Sequence, residues 1–448
     1  MNKIISSFLF EKKNNNIWYF IFLFFNCIFI IGILFNVHGI FDLFFYIPII
    51  LGFFIISCFY TFFSLYNLIR KNIIYRTYIL ISFIIFFPFI IMSQILPLIS
   101  NSNIFPQLLW KDTVGKNKIS NIALRWYTSK ATQNTVMWGT NSENYTIIET
   151  QKTNIHIFSF DDLHENTTYW YKINNEEKRT FKIPDMKNIS IGFFSDLHYG
   201  TYSKKNDEIK KQVFLETNID ALFLVGDTID LGFLNYQWKW GLNEISCISS
   251  VVPTKYIVGN HDFLFNGKLH YDSYLSLSNK NTIKYYGKIV LGNVIIFYLH
   301  MEYDHYYYIG EQQIWFENEL KKTTDHDFII VCHHAPIIGS SDLYVNNSRI
   351  FIPKYGEYFT SLFNTYNVSL SISGHQHLTE YLIVNNTHYI IIGRSGNINS
   401  GDFIKYDHPE TKWINTTIIS HGIFNYQPNI QTFSILDHTS TIAYSFIF

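Results

Sequence analysis

Three stretches near the start of the chain, residues 17–35, 41–63 and 78–98, are almost unbroken apolar runs of about twenty residues, long enough for a helix to cross a bilayer. They are apolar all round rather than striped, and there are three of them. That pattern predicts membrane-spanning helices rather than amphipathic core helices or a cleaved signal peptide. Asn, Ser and Pro at 100–106 then mark a linker. Over 107–182 the runs become short and alternating, at 122–127, 135–138, 155–160 and 169–173, with polar or Gly-containing turns between them. This spacing predicts a small antiparallel β-sandwich. From 188 onward, apolar and β-branched runs at 189–194, 221–225, 255–258, 294–299, 328–331 and 368–372 read as buried strands. Residues 204–216 and 311–321 carry apolar positions at helical spacing, and the tail through Phe448 reads as further strands. The expected organisation is a membrane domain at 1–100, an all-β sandwich at 101–186 and an α/β domain at 187–448.

Charge changes this picture in one respect. With 34 Lys and Arg against 35 Asp and Glu, no nucleic-acid binding surface is evident. Lys3, Lys12 and Lys13 precede the first apolar run and Arg70, Lys71 and Arg76 lie between the second and third, whereas the loop at 36–40 has no Lys or Arg. The positive-inside tendency therefore predicts a multi-pass membrane protein with a cytoplasmic N-terminus, the lipid bilayer as a partner, and everything after Leu98 extracytoplasmic. Asn-x-Thr triplets at Asn144, Asn166 and Asn415 agree with that placement. Cys27 and Cys58 fall within the apolar runs, and Cys247 and Cys332 alone make no disulfide framework. Cys332 is expected to pack as a small apolar residue at a strand end.

Candidate chemistry lies where the α/β strands end. Asp196 and His198 follow the run at 189–194, and an aspartate and a histidine two apart can share one divalent ion. Four later loops repeat the arrangement: Gly226-Asp227-Thr228-Ile229-Asp230, Gly259-Asn260-His261-Asp262, His333-His334-Ala335-Pro336 and Gly374-His375-Gln376-His377. Ligands gather beyond the carboxyl ends of strands in α/β sheets, so all five loops are expected at one edge of one sheet. Aspartate, asparagine and histidine together form a hard-to-borderline donor set suited to two adjacent divalent ions.

In order and spacing, these five motifs resemble the signature of the calcineurin-like metallophosphoesterase superfamily, over residues 189 to about 396. The resemblance implies a metallophosphoesterase β-sandwich flanked by helices. It also implies a dinuclear hydrolase of phosphate mono- or diesters, in which a metal-bridging hydroxide attacks phosphorus. By motif, Asp196, His198 and His377 resemble the ligands of one metal, Asn260, His333 and His375 those of the other, and Asp227 the bridge. Between His333 and His334, the residue directly leaving the strand is preferred. His261 resembles the family's proton donor, with Asp230 as the carboxylate that orients it. The metals implied are two divalent or trivalent ions, Fe, Mn or Zn. The segment at 101–186 resembles the fibronectin type III-like domain of purple acid phosphatases, through Ala123-Leu124-Arg125-Trp126-Tyr127, Val136-Met137-Trp138-Gly139-Thr140 and Thr168-Tyr169-Trp170-Tyr171. Residues 310–320 look like the helix before the fourth motif in that branch. The chain departs from the branch at Asp230, where a tyrosine stands, and at His198, where a small residue stands, which implies a colourless site. The alternative is a catalytically silent ectodomain acting in binding or adhesion, which would predict missing ligands. Aromatic loops at 233–240 and 303–308, the latter with His305, are expected either to rim the site or to pack. Arg394 is expected as a phosphate contact or a surface ion pair.

Overall fold

The structure is a computed structural model that describes residues 103–113, 121–141, 143–160, 162–200, 204–277, 283–301, 310–324, 327–340, 352–396 and 410–448. Among these residues no helix is long and apolar enough to cross a membrane. The runs at 17–35, 41–63 and 78–98 lie outside the described residues. The expected three transmembrane helices, multi-pass placement and extracytoplasmic catalytic domain are corrected accordingly and carried no further.

The α/β part is built on alternation. In β8 (Ile189–Phe194) and β9 (Ala221–Val225), Ile191, Phe193, Phe223 and Val225 point to one core, while Phe194, Leu222 and Leu224 point to another. β12 (Val294–Leu299) and β13 (Phe328–His333) divide in the same way. Ile296, Tyr298, Ile330 and Cys332 join the first core, and Phe297, Leu299, Ile329 and Val331 a third. The shared core therefore lies between two sheets. The outer face of the first sheet is covered by α1 (Lys204–Glu216), α2 (Asn235–Ser249) and α4 (Lys268–Leu275), through Val213, Trp238, Leu242 and Tyr271. The outer face of the second is covered by α5 (Glu311–Leu320) and α6 (Ile352–Thr365), through Phe316, Phe359 and Phe363. At roughly 1.5–3 kcal/mol for each large side chain buried, this packing fixes the strand ends that carry the motifs.

The site loops therefore leave two facing sheets, not the single sheet expected. β8, β9 and β10 (Thr254–Ile257) run parallel in one sheet. β12, β13, β14 (Leu370–Ser373) and β16 (Thr387–Ile392) run parallel in the other. The tail joins the first sheet, with β18 (Ser420–Gln427) antiparallel to β8.

The N-terminal all-β part is hydrogen-bonded into this framework. β1 (Ile104–Trp110), which includes part of the expected linker, runs parallel to β10. With β2 (Ile122–Thr132) and β5 (Thr153–Ser159) it extends the first sheet to nine strands. β3 (Thr135–Gly139), β4 (Tyr145–Glu149), β6 (Thr167–Ile173) and β7 (Arg179–Ile183) form a separate four-stranded sheet whose aromatic side chains pack into the shared core. Two long-range ties secure the junction. Tyr171 donates its hydroxyl proton to the Ser250 carbonyl at 2.7 Å, and the buried Arg125 guanidinium donates to the carbonyls of Asp272, Ser273 and Ser276 at the end of α4.

Candidate metal centre

Past their last strand residues, the first two loops remain zipped together. Asp196 N donates to Gly226 O at 3.1 Å, His198 N to Asp227 O at 3.0 Å and Tyr199 N to Thr228 O at 2.9 Å. The backbone here is unusual, because Asp196, His198, Asp227 and His375 all have positive φ, between 45° and 67°. Residues with a Cβ adopt this region reluctantly, and such strain persists where surrounding contacts over-determine it. Glycine makes the close approach possible. A Cβ at Gly374 would lie 1.9 Å from Ser195 Oγ, and Gly226, at φ 90°, would place one 2.3 Å from His334 Nδ1. The two sheets are stitched at the same point, where His375 N donates to Asp196 Oδ2 at 2.9 Å.

Three imidazoles then converge on one carboxylate. His334 Nδ1 donates to the Val225 carbonyl at 2.9 Å, His261 Nδ1 to the Asp230 carbonyl at 2.7 Å, and His198 Nδ1 to Asp230 Oδ1 at 3.2 Å. With Nδ1 anchored, each ring turns Nε2 inward. The distances to Asp227 Oδ2 are 3.1 Å for His334, 3.6 Å for His198 and 3.9 Å for His261. Asp196 has one oxygen held by Ser195 Oγ at 2.7 Å, and its other faces His377 Nε2 at 3.6 Å and His198 Nε2 at 3.8 Å. Asn260 Oδ1 lies 3.1 Å from His334 Nε2. Among the described residues, three sets have donor atoms mutually close enough for one cation each: Asp196, His198 and His377; His198, Asp227 and His261; Asp227, His334 and His375.

The electrostatics describe donors short of positive charge. Burial opposes a charged His198, but Asp196, Asp230 and Asp227 hold its pKa up to about 10. Burial likewise opposes a charged His334, and Asp227 raises it to about 9. The same imidazoles keep the Asp227 carboxyl well below its usual range despite burial. Burial and the charge on His334 push His375 down to about 3, and burial with His198 pushes His377 well below its ordinary value. A cation would supply the charge that shifted protons supply here, and inward Nε2 atoms backed by carbonyl or carboxylate acceptors are the arrangement metal-bound histidines need. The residues fit a metal centre.

Residues 189–378 match the calcineurin-like phosphoesterase family. The chain carries a calcineurin-like phosphoesterase domain. Its fold is similar to that of a purple acid phosphatase from yellow lupin (Lupinus luteus) seeds, with a TM-score of 0.67 at 17% identity over 78% of this chain and 74% of that one. Weaker likenesses are to GAP50, the anchor in the inner membrane complex of Plasmodium, with TM-score 0.41, 16% identity, 58% and 88% covered. A predicted phosphoesterase from Streptococcus pneumoniae gives TM-score 0.30, 12% identity, 59% and 99% covered. No curated protein matches the chain significantly. The family match supports a metal-dependent phosphoric ester hydrolase, and at 17% identity the lupin enzyme speaks to the fold alone.

Within the phosphoesterase domain, two expected assignments change. His334, not His333, reaches the cluster. His333 Nδ1 donates to the Ala335 carbonyl at 2.7 Å and its Nε2 pairs with Ser371 Oγ at 2.9 Å, away from the other donors. The Asp230 carboxylate orients His198, while its backbone carbonyl orients His261, whose Nδ1 is 3.7 Å from the carboxylate. The structure brings Asp196, His198, Asp227, Asn260, His375 and His377 together. Asp262 is a further structural member, since its carboxylate accepts from Ile229 N and Gly259 N at 3.0 Å each and is lifted to about 7 by burial and the neighbouring Asp227. The G-N-H-D spacing contains it, and an aspartate three residues after a loop glycine is a common cap for a short helix, here α3 (Asn260–Phe263). Arg394 is buried rather than on the surface. The loop at 303–308 lies outside the described residues.

Proposed function

We propose that the chain hydrolyses phosphate mono- or diesters with two metal ions. One would be held by Asp196, His198 and His377, the other by Asn260, His334 and His375, with Asp227 between them. Convergence of three Nε2 atoms on the Asp227 carboxylate carries this reading. When bound, the ions, of Fe, Mn or Zn type, would neutralise phosphate oxygens and make a water nucleophilic near neutrality.

The chain's own groups do the rest. Asp230 holds His198 through Nδ1, so that its Nε2 stays aimed at the cluster. His261 presents Nε2 to the same space and serves as the proton donor to the departing alkoxide. Burial lowers its pKa, and a bound phosphate group, being negative, would favour the protonated ring that this role requires. Residues 187–448 form the catalytic domain in this reading, and the fibronectin-like part at 101–186 buttresses it through β1 and Arg125.

The full chain, stripped of metal and reconstituted with Mn, Zn or Fe, should bind two ions by elemental analysis and turn over chromogenic mono- or diesters. Asp227→Asn should lower kcat at least on the order of a thousandfold while leaving the fold intact. His261→Ala should slow esters with poor leaving groups far more than those with good ones, and an equal loss on both would remove it as proton donor.

A further inference from the structure

Two loops meet backbone to backbone on the side of the cluster that His261 occupies. Gly232 N donates to the His261 carbonyl at 3.0 Å. A Cβ on Gly232 would lie 2.1 Å from the Asp262 carbonyl oxygen, and one on Gly267 would lie 2.7 Å from the carbonyl carbon of Gly232. Nothing larger than glycine lets these loops approach so closely. The approach brings two aromatic rings together, Phe233 against Phe265, with centroids 5.6 Å apart and planes at 83°.

The larger ring in the first loop's run serves the fold. Trp238 is fully buried and donates Nε1–H to the Gly232 carbonyl at 2.6 Å. Phe265 differs in two ways: it is 48% exposed, and its backbone sits at φ 45°, ψ 49°. A turn with that conformation is ordinarily given glycine or asparagine, and an exposed phenylalanine gains little from burial in return. Leu269, on the next turn, is 57% exposed. Lys268, a cation in the same segment, is turned onto the Tyr285 ring at 5.0 Å. His270 Nε2 and the Phe233 carbonyl lie 3.3 Å apart, which holds the first loop in register with α4.

We propose that Phe233 and Phe265 line an apolar subsite for the alcohol portion of the ester, and that the preferred substrates carry an aromatic or extended apolar group on that side. The orientation rests on the reading of His261 as proton donor to the leaving group, because the wall follows directly from its loop. Aromatic side chains favour stacking with flat groups, and the nearby cation Lys268 is turned onto Tyr285, so the pair favours an aromatic alcohol over an anionic one.

The test uses the metal-reconstituted full chain with two esters whose alcohols are of similar acidity, 2-(1-naphthyl)ethyl phosphate and ethyl phosphate. Binding of the matching non-hydrolysable phosphonates is followed by calorimetry. The subsite predicts that kcat/KM favours the naphthyl ester by about thirtyfold, with the phosphonates ranked likewise. Phe233→Ala and Phe265→Gly should each cut that preference about three- to tenfold. Phe265→Gly suits the left-handed backbone, so a higher melting temperature with a lost preference would separate recognition from folding. Equal turnover of the two esters by the parent chain, or an unchanged preference in both variants, overturns the subsite and leaves the hydrolase reading standing. No turnover of either ester with any metal overturns both.

Discussion

At the carboxyl ends of β8 and β9, buried histidines and aspartates crowd one another on strained backbone, and their charges balance only through displaced protons. Along the same sheet, at β2, a single buried cation is in the opposite condition. Arg125 is satisfied at both terminal nitrogens by three helix-end carbonyls; burial lowers its pKa to about 10, with Asp272 opposing. A guanidinium at a helix C-terminus meets both the free carbonyls and the negative end of the helix dipole. Both regions bury charge, but only at the cluster is it balanced by protons that a cation could replace. That difference, rather than burial or residue type, separates a group retained for chemistry from one retained for architecture.

The neighbours His333 and His334 break the comparison most directly, since one falls on each side of it. His334→Ala should reduce kcat/KM on the order of a thousandfold and abolish binding of the second metal, at a stability cost similar to that of His333→Ala because it too removes buried hydrogen bonds. His333→Ala should cost about 2 kcal/mol of stability, by leaving the Ala335 carbonyl and Ser371 unpaired, and should retain most turnover. Should the catalytic loss fall on His333 instead, the assignment of donors to the second metal is reversed. Arg125→Met is the architectural counterpart. Three carbonyls lose their partner, so urea unfolding should show a loss of about 3 kcal/mol, while kcat per folded molecule stays near the parent value.

These two histidines also mark how far the sequence could be read. The five motifs and the strands before them were legible because each couples a short, mostly apolar run to an abrupt exit at serine, glycine or histidine followed by ligand-type residues, a local signal. The choice between His333 and His334 was legible too, through strand alternation: Ile330 and Cys332 face the core between the sheets, and His334 continues that phase, whereas His333 follows Ile329 and Val331 to the other face. Adjacency to the strand end was the weaker guide. The distribution of the loops over two facing sheets was not legible, because strand order is set by long-range pairing such as β18 with β8, which leaves no mark on either segment alone. Nor was the role of Asp230, whose carboxylate and carbonyl serve different histidines. The merging of β1, β2 and β5 into the nine-stranded sheet was hidden for the same reason, since a sandwich strand and a sheet-extending strand alternate alike.

His421 sharpens the comparison from a third direction, as a buried titratable group that is stable only when neutral. It lies on β18 with its ring stacked on Phe194, 4.7 Å between centroids and 6° between planes. Burial lowers its pKa to about 4, with Asp437 opposing. The sign follows from linkage. The unfolded chain protonates this residue near pH 6.5 and the folded chain only near 4, so its contribution is fully present above about pH 6.5 and is lost as pH falls toward 4. Other histidines titrate in the same window, so the measurement is a difference between two chains. Relative to His421→Phe, which keeps the stack and cannot protonate, the parent should lose about 2 kcal/mol of unfolding free energy between pH 7 and pH 4.5. Parallel pH profiles for the two would mean that His421 reaches solvent when charged. It would then belong with neither the cluster around Asp227 nor Arg125.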